Sequence, residues 1–420
     1  MKQKNLYINI GSLIGVSDLY PKRPLKGAEM SRIDKLDNAY LSIAGDTIVD
    51  YGHMNDLGNI AEIYNNYDNI YDVKNQFVIP GFIDTHTHLV FAQWREEEFI
   101  MKLQGYSYEE IAKKGGGILN SAKKVQTTSE EELFDAALKR IYEVMNYGTV
   151  ALEIKSGYGL SLESELKMLR VIKRLKEYTK LPIKSTFLGA HAVPIEYKEN
   201  RNEYIDLIIS KMLPLIADEG LAEYVDVFCD EGFFTLEETD YILNVAVKFG
   251  LKPRIHVSEM SNNGGVQLGI SHHAISVDHL ERIEDEEISA LLLSDTLPTV
   301  LPQVSFFLKI PFAPARKMID AGLPLVIASD YNPGTSPSGN LQFAIALATI
   351  YQKLLPVEAI NAITYNAAHA LEIENQLGSI QKGKKASFLI LNSDVKNLDF
   401  IPYHFASNKV EKVIINGEIR

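Results

Sequence analysis

Val78-Ile79-Pro80-Gly81-Phe82-Ile83-Asp84-Thr85-His86-Thr87-His88 is an apolar run entered through Pro-Gly and closed by His-x-His. Side chains two apart on a strand share a face. His86 and His88 therefore point together from the end of a predicted strand, and two such imidazoles are a suitable start for a divalent metal site. The same pattern of short apolar runs recurs downstream at 149–155, 183–190, 224–230, 253–257, 274–278, 297–301 and 324–329. Helical patterns lie between them, among them 130–146, 163–178 and 236–249. In 163–178, Leu166, Leu169, Ile172 and Leu175 mark one apolar face at helical spacing. Strands alternating with helices in this number predict an α/β fold, a (β/α)8 TIM-like barrel with both layers buried.

The two ends of the chain read differently. Residues 5–78 carry β-rich runs such as Leu6-Tyr7-Ile8-Asn9-Ile10, Ala39-Tyr40-Leu41-Ser42-Ile43 and Thr47-Ile48-Val49-Asp50-Tyr51, separated by Gly and Asp turns. The far end repeats the style in Gly378-Ser379-Ile380, Ala386-Ser387-Phe388-Leu389-Ile390-Leu391 and Val413-Ile414-Ile415-Asn416-Gly417. The expected organisation is a small β-sandwich domain formed by both chain termini, 1–78 with 376–420, around a catalytic barrel at 79–375. Chain termini usually lie close together, so a split domain costs little.

Composition bounds the function. With 46% hydrophobic residues, 27 Gly and 16 Pro in 420, the chain is an ordinary folded protein. Its 42 Lys+Arg against 55 Asp+Glu give a net charge of -13 without a basic block, which argues against nucleic acid as a partner. An anionic substrate would then need a cation inside the site. Cys229 is the only cysteine; it reads as a small buried hydrophobe, and a reducing compartment is the simplest home. The start Met1-Lys2-Gln3-Lys4-Asn5 precedes an apolar run too short for a signal peptide's core, and no run has a membrane helix's length. A cytoplasmic location without membrane contact is expected.

Barrels of this type place their active sites at the carboxyl ends of the strands. Besides His86 and His88, His256 closes Pro253-Arg254-Ile255-His256 and Asp330 closes Leu325-Val326-Ile327-Ala328-Ser329-Asp330. Three imidazoles and one carboxylate suit zinc and iron alike and leave a position for water. His279, ending Ile275-Ser276-Val277-Asp278-His279, is then cast as a hydrogen-bonding or proton-transfer group. Glu259, three residues past His256, is a candidate proton shuttle.

These residues resemble the amidohydrolase superfamily, and the detailed motifs are similar to the imidazolonepropionase family, ring-opening enzymes of histidine breakdown, across nearly the whole chain. The matching stretches are Lys114-Gly115-Gly116-Gly117-Ile118-Leu119, Lys155-Ser156-Gly157-Tyr158-Gly159-Leu160 and Leu188-Gly189-Ala190-His191-Ala192. Further along come Ile255-His256-Val257-Ser258-Glu259, Val277-Asp278-His279-Leu280 and Ser329-Asp330-Tyr331-Asn332-Pro333-Gly334-Thr335-Ser336-Pro337. The resemblance implies His86, His88, His256 and Asp330 as ligands of one Zn(2+) or Fe ion per chain. It implies Arg95, Tyr158, His191 and Glu259 at the substrate, and Asn332, Gly334 and Thr335 at the ring-opened product. Asp330, His279 and Glu259 share the proton transfers.

The activity so implied is hydrolysis of the cyclic amide of 4-imidazolone-5-propanoate to N-formimino-L-glutamate by a metal-activated water. Arg95 would supply the local cation for this small anionic substrate. Ala92-Gln93-Trp94 departs from the small residues frequent in the family, and a changed pocket wall is expected. Lys155, on the second strand, is read as non-bridging. The Gly115–Gly117 run is open to reading as a lid or as an ordinary loop, and a homodimer is an assembly open to the chain. Two rival readings are a ring deaminase on the same metal core and a barrel scaffold that has lost its chemistry.

Overall fold

The computed structural model describes residues 2–16, 22–58, 65–106, 110 and 116–420. Gly115, which opens the glycine run discussed as a lid, and Lys114 before it lie outside the described residues.

Both ends of the chain contribute to one sheet. Its amino-terminal strands are β1 (Lys4–Ile14), β2 (Lys35–Ala44), β3 (Thr47–His53), β4 (Asn69–Asp72) and β5 (Phe77–Pro80). The barrel follows as β6 (Phe82–Asp84), β7 (Thr149–Lys155), β8 (Ile183–Ala190), β9 (Tyr224–Cys229), β10 (Lys252–Val257), β11 (Ser276–His279), β12 (Leu297–Val300) and β13 (Val326–Ile327). Then β14 (Phe388–Leu391), β15 (Val410–Ile415) and β16 (Glu418–Ile419) return to the first sheet. There the order is β16-β15-β14-β5-β1-β2-β3, with β4 also paired to β1. The antiparallel pairing of β14 with β5, Leu389 opposite Ile79, joins the two termini. Gly378-Ser379-Ile380 forms no strand; only Ile380 makes a bridge, to Val16.

In the second sheet β6 to β13 lie side by side in chain order, each pair parallel. The ring closes at the carboxyl end through a Thr87–Tyr331 bridge. There the Asp330 amide donates to the His86 carbonyl at 3.0 Å and the His88 amide to the Tyr331 carbonyl at 2.9 Å. The predicted barrel is therefore the fold, with a separate sheet built from both termini.

The 78–88 run is not one strand. Its first part, β5, belongs to the terminal sheet and its second, β6, to the barrel. Pro80 offers no N–H to continue a ladder. Gly81 then passes so close to Val150 that a Cβ would collide with that side chain, which lets the chain step from one sheet to the other.

The outer helices follow their sequence signals. Glu130–Asn146 starts at a reciprocal cap, with Ser129 Oγ accepting from the Glu132 amide and Glu132 Oε2 from the Ser129 amide. Leu133, Ala137, Ile141 and Val144 form its buried stripe. Among the described residues no helix is long and apolar enough to cross a membrane.

Candidate active site

His86 and His88 lie just past β6, His256 on β10, His279 at the end of β11 and Asp330 just past β13. All five are buried at the barrel mouth. Asp330 Oδ1 is 3.4 Å from His86 Nε2 and 3.3 Å from His88 Nε2, and His256 Nε2 is 3.4 Å from His88 Nε2. Two ligands at ~2.0–2.1 Å from a common ion are separated by distances of this order in a tetrahedral set.

His86 Nε2 and Asp330 Oδ1 are buried without a hydrogen-bond partner, although buried polar atoms are nearly always paired. The donor set therefore fits a metal ion. His86, His88 and Asp330 form one group able to hold an ion, and His86, His256 and His279 form another that shares His86. Burial, then neighbouring positive charge, holds the His86, His88 and His279 imidazoles well below their usual range. The neutral rings that metal ligation requires are thus already favoured.

The other nitrogens of two of these rings are oriented from below. His86 Nδ1 lies 2.7 Å from Asp278 Oδ2 and His256 Nδ1 lies 3.0 Å from Asp226 Oδ2. A carboxylate behind a histidine fixes its tautomer and turns the remaining nitrogen toward the ligand position. Lys155 Nζ joins this layer, 2.8 Å from Glu153 Oε1 and 2.9 Å from Asp226 Oδ2. Burial opposes its charge, but Asp226, Glu153 and Asp278 together raise its pKa. The same balance lowers the Asp226 carboxyl: His256 and Lys155 outweigh the cost of burial. Lys155 is an ion-paired ammonium here, consistent with its reading as non-bridging.

Four non-glycine residues at these strand ends adopt left-handed backbone: Ser258 (φ 55°), His279 (φ 89°), Leu280 (φ 69°) and Asp330 (φ 52°). Such strain persists where surrounding structure enforces it, commonly at functional sites.

A cavity of about 350 Å³ opens above the cluster. Its walls bring together His88, His256, His279 and Asp330 with Arg95, Tyr158, His191, Glu259, Asn332, Gly334 and Thr335. Arg95, its side chain 7% exposed, packs against Gly334 so closely that a Cβ there would strike the guanidinium. Its Nε has no partner. Asn332 Nδ2 donates to Asp330 Oδ2 at 3.0 Å and to Thr335 Oγ1 at 2.8 Å, while its Oδ1 accepts from the Gly334 and Thr335 amides. His191 is stacked on His88 with centroids 5.1 Å apart. Glu259 lies 3.6 Å from His279 Nδ1; burial, then the Asp230 carboxylate, pushes its pKa up to about 8. His279 Nδ1 also faces Glu281 Oε2 at 3.7 Å.

Trp94 lies outside the lining of this cavity, but lines an adjoining one with Arg95 and Gly334. Its ring packs on Phe91 and Tyr331. Conversely, Lys102 and Arg282 line the cavity without having been singled out. Asp226, Glu153 and Glu281 were also missed. For the first two a signal existed, since each is a carboxylate interrupting an apolar strand run, Tyr224-Val225-Asp226-Val227-Phe228 and Val150-Ala151-Leu152-Glu153-Ile154.

A profile of the amidohydrolase family matches residues 77–420. The imidazolonepropionase of Flavobacterium johnsoniae is 51% identical over 395 residues, spanning 94% of this chain and 95% of its own length. That of Flavobacterium psychrophilum is 47% identical over 416 residues, spanning 99% of this chain and all of its own (100%). Among solved structures, a mutant of atrazine chlorohydrolase from Arthrobacter aurescens complexed with zinc and atraton superposes with a TM-score of 0.72 at 14% identity, over 99% of this chain and 94% of that one. An adenosine deaminase from Xanthomonas campestris with bound zinc gives 0.70 at 14% identity, over 99% and 92%. At such identity the structural likeness is one of fold.

Proposed function

The chain belongs to the amidohydrolase family and, within it, to the imidazolonepropionases, hydrolases of carbon–nitrogen bonds in histidine degradation; from that premise we propose that it opens 4-imidazolone-5-propanoate to N-formimino-L-glutamate. The observation that carries this reading is the pairing of a buried cation with the histidine–aspartate cluster across one cavity. Arg95, with an unpartnered Nε, faces the substrate's carboxylate arm, and the cluster faces its ring amide. A planar guanidinium can grip a carboxylate with two parallel hydrogen bonds.

His86, His88, His256 and Asp330 are the residues to hold one zinc or iron ion. When bound, it supplies Lewis-acid polarisation of a carbonyl and a more acidic water. The chain's own groups then handle binding and proton transfer. Arg95 anchors the carboxylate, and Tyr158 and His191 wall the ring. Asp330, held through Oδ2 by Asn332 and ionised once it serves as a metal ligand, accepts the proton of the attacking water as the water oxygen bonds to the ring carbonyl carbon. His279 donates a hydrogen bond to the oxygen on which charge develops. As the carbon–nitrogen bond breaks, Glu259 delivers a proton to the departing ring nitrogen, a role suited to a carboxyl kept protonated near neutrality.

The purified protein, given imidazolone propionate, is expected to yield a product heavier by one water, with no ammonia released. Ammonia release from this or an aminated ring would instead favour a deaminase, and no product from either would remove the substrate assignment.

A further inference from the structure

Glu165 is fully buried in the first turn of the helix Leu162–Thr179 and has no part in the chemistry above. Its carboxylate is taken up by the loop that carries Tyr158. Oε2 accepts from the Gly157 amide at 3.0 Å, and Oε1 accepts from the Gly159 amide at 2.7 Å and the Leu160 amide at 2.8 Å. Burial raises the pKa of this carboxyl, and the three amide donors offset part of that cost.

The carbonyl of Gly157, whose amide is bound to Glu165, receives His191 Nδ1 at 2.9 Å. A carbonyl can only accept, so His191 carries its proton on Nδ1 and turns an unprotonated Nε2 away from that contact. Glu165 and His191 thus hold the same residue from two sides, Glu165 at the Gly157 amide and His191 at the Gly157 carbonyl. Tyr158, the next residue along, has its ring 5.3 Å from that of His191, and both line the cavity.

We propose that Glu165 is the positioning residue of the substrate wall, fixing Tyr158 through the loop amides and, by holding the Gly157 backbone, the carbonyl that sets the His191 tautomer. It acts on His191 by holding the backbone of Gly157, whereas Asp278 acts on His86 directly. Glu165 sets substrate binding and touches neither substrate nor metal ligand. The inference rests on the reading of Tyr158 and His191 as substrate contacts.

The test compares KM and kcat for imidazolone propionate in the wild type, Glu165→Gln and Gly159→Ala. A glutamine places an NH2 group against backbone amides, removing at least one charge-assisted hydrogen bond from the loop. KM is expected to rise about tenfold with kcat within about threefold. Gly159→Ala leaves the buried carboxylate intact, but its Cβ would sit 2.5 Å from the Glu165 amide nitrogen; the loop must shift, and the same rise in KM is expected. A purely structural Glu165 would lower the active fraction and kcat with KM unchanged, and that result overturns the proposal.

Nitrogen-15 NMR of the wild type, with His191→Gln to assign the signal, adds a readout that needs neither variant to fold. An Nδ1–H tautomer for His191 is expected, and an Nε2–H tautomer or an imidazolium at neutral pH contradicts it. If the wild type does not turn over imidazolone propionate, the functional reading fails, and the same spectrum of Glu165→Gln decides the positioning role: a changed His191 tautomer balance supports it and an unchanged one overturns it.

Discussion

Two polar layers share the barrel interior and are built on opposite principles. In the layer at the mouth, burial drives groups toward their neutral forms: His86, His88 and His279 are lowered and Asp330 is raised. Ligand-capable atoms there, among them His86 Nε2 and Asp330 Oδ1, are unpaired. In the layer beneath, Lys155 and Arg254 stay charged among Glu153, Asp226 and Asp278, and Asp226 is lowered. The lower layer carries its own cations; the upper lacks one. A buried unsatisfied polar group costs about 1–3 kcal/mol; Asp226 Oδ2 of the lower layer, also without a hydrogen bond, has the Lys155 ammonium 2.9 Å away, whereas the upper atoms face no such cation. The lower layer aims the imidazoles and the upper one presents their free nitrogens.

The contrast is broken most sharply at Asp330. Asp330→Ala is expected to lower turnover by about 10²–10⁴-fold and to reduce bound metal, while the metal-free protein loses little stability, because the unpaired Oδ1 goes with the side chain. Near-normal turnover would place the chemistry elsewhere. Lys155→Met should behave in the opposite way. It leaves Glu153 and Asp226 buried without their cation, a cost of about 3–5 kcal/mol that urea denaturation of the metal-free protein will read. Wild-type stability in that variant would mean that the lower layer does not rest on its charge pairing.

Asp278→Asn tests the link between the layers. Removing the carboxylate behind His86 should weaken metal binding by about 10–100-fold, measured by competition with a chromogenic chelator; an unchanged affinity would deny Asp278 its orienting role. The last effect concerns pH. Glu259 keeps its proton up to about 8 in the folded protein, whereas an unfolded chain releases it near the ordinary carboxylate range. Between those limits the native state binds the extra proton, so stability falls as pH rises, by at most about 1.4 kcal/mol per pH unit from this group. Glu259→Gln should flatten that slope in metal-free protein, and an identical slope in wild type and variant would mean that Glu259 is ionised.

The two layers also differ in how well the sequence exposed them. His86, His88, His256 and Asp330 were legible because each ends an apolar run, and strand ends are where a barrel gathers function. The motif around Asn332, Gly334 and Thr335 was legible as a resemblance. Asp226 and Glu153 sit inside runs that otherwise read as buried strand, and only the folded barrel reveals that they share an axis with Lys155. Glu165 was hidden by its helix, where a carboxylate in the first turn is an ordinary preference. The left-handed backbone at His279 and Leu280 carries no sequence mark, because no glycine stands there. The split of 78–88 at Gly81 depends on Val150 across the fold, a contact that local pattern cannot contain.

The central claim is that the unpaired upper layer holds one metal ion that turnover of imidazolone propionate requires. The direct measurement is ultraviolet loss of that substrate by purified protein before and after chelation, with metal content determined on the same sample. About one zinc or iron per chain is predicted, with turnover lost on chelation and restored when the ion is returned. Full turnover in metal-free protein would contradict the account.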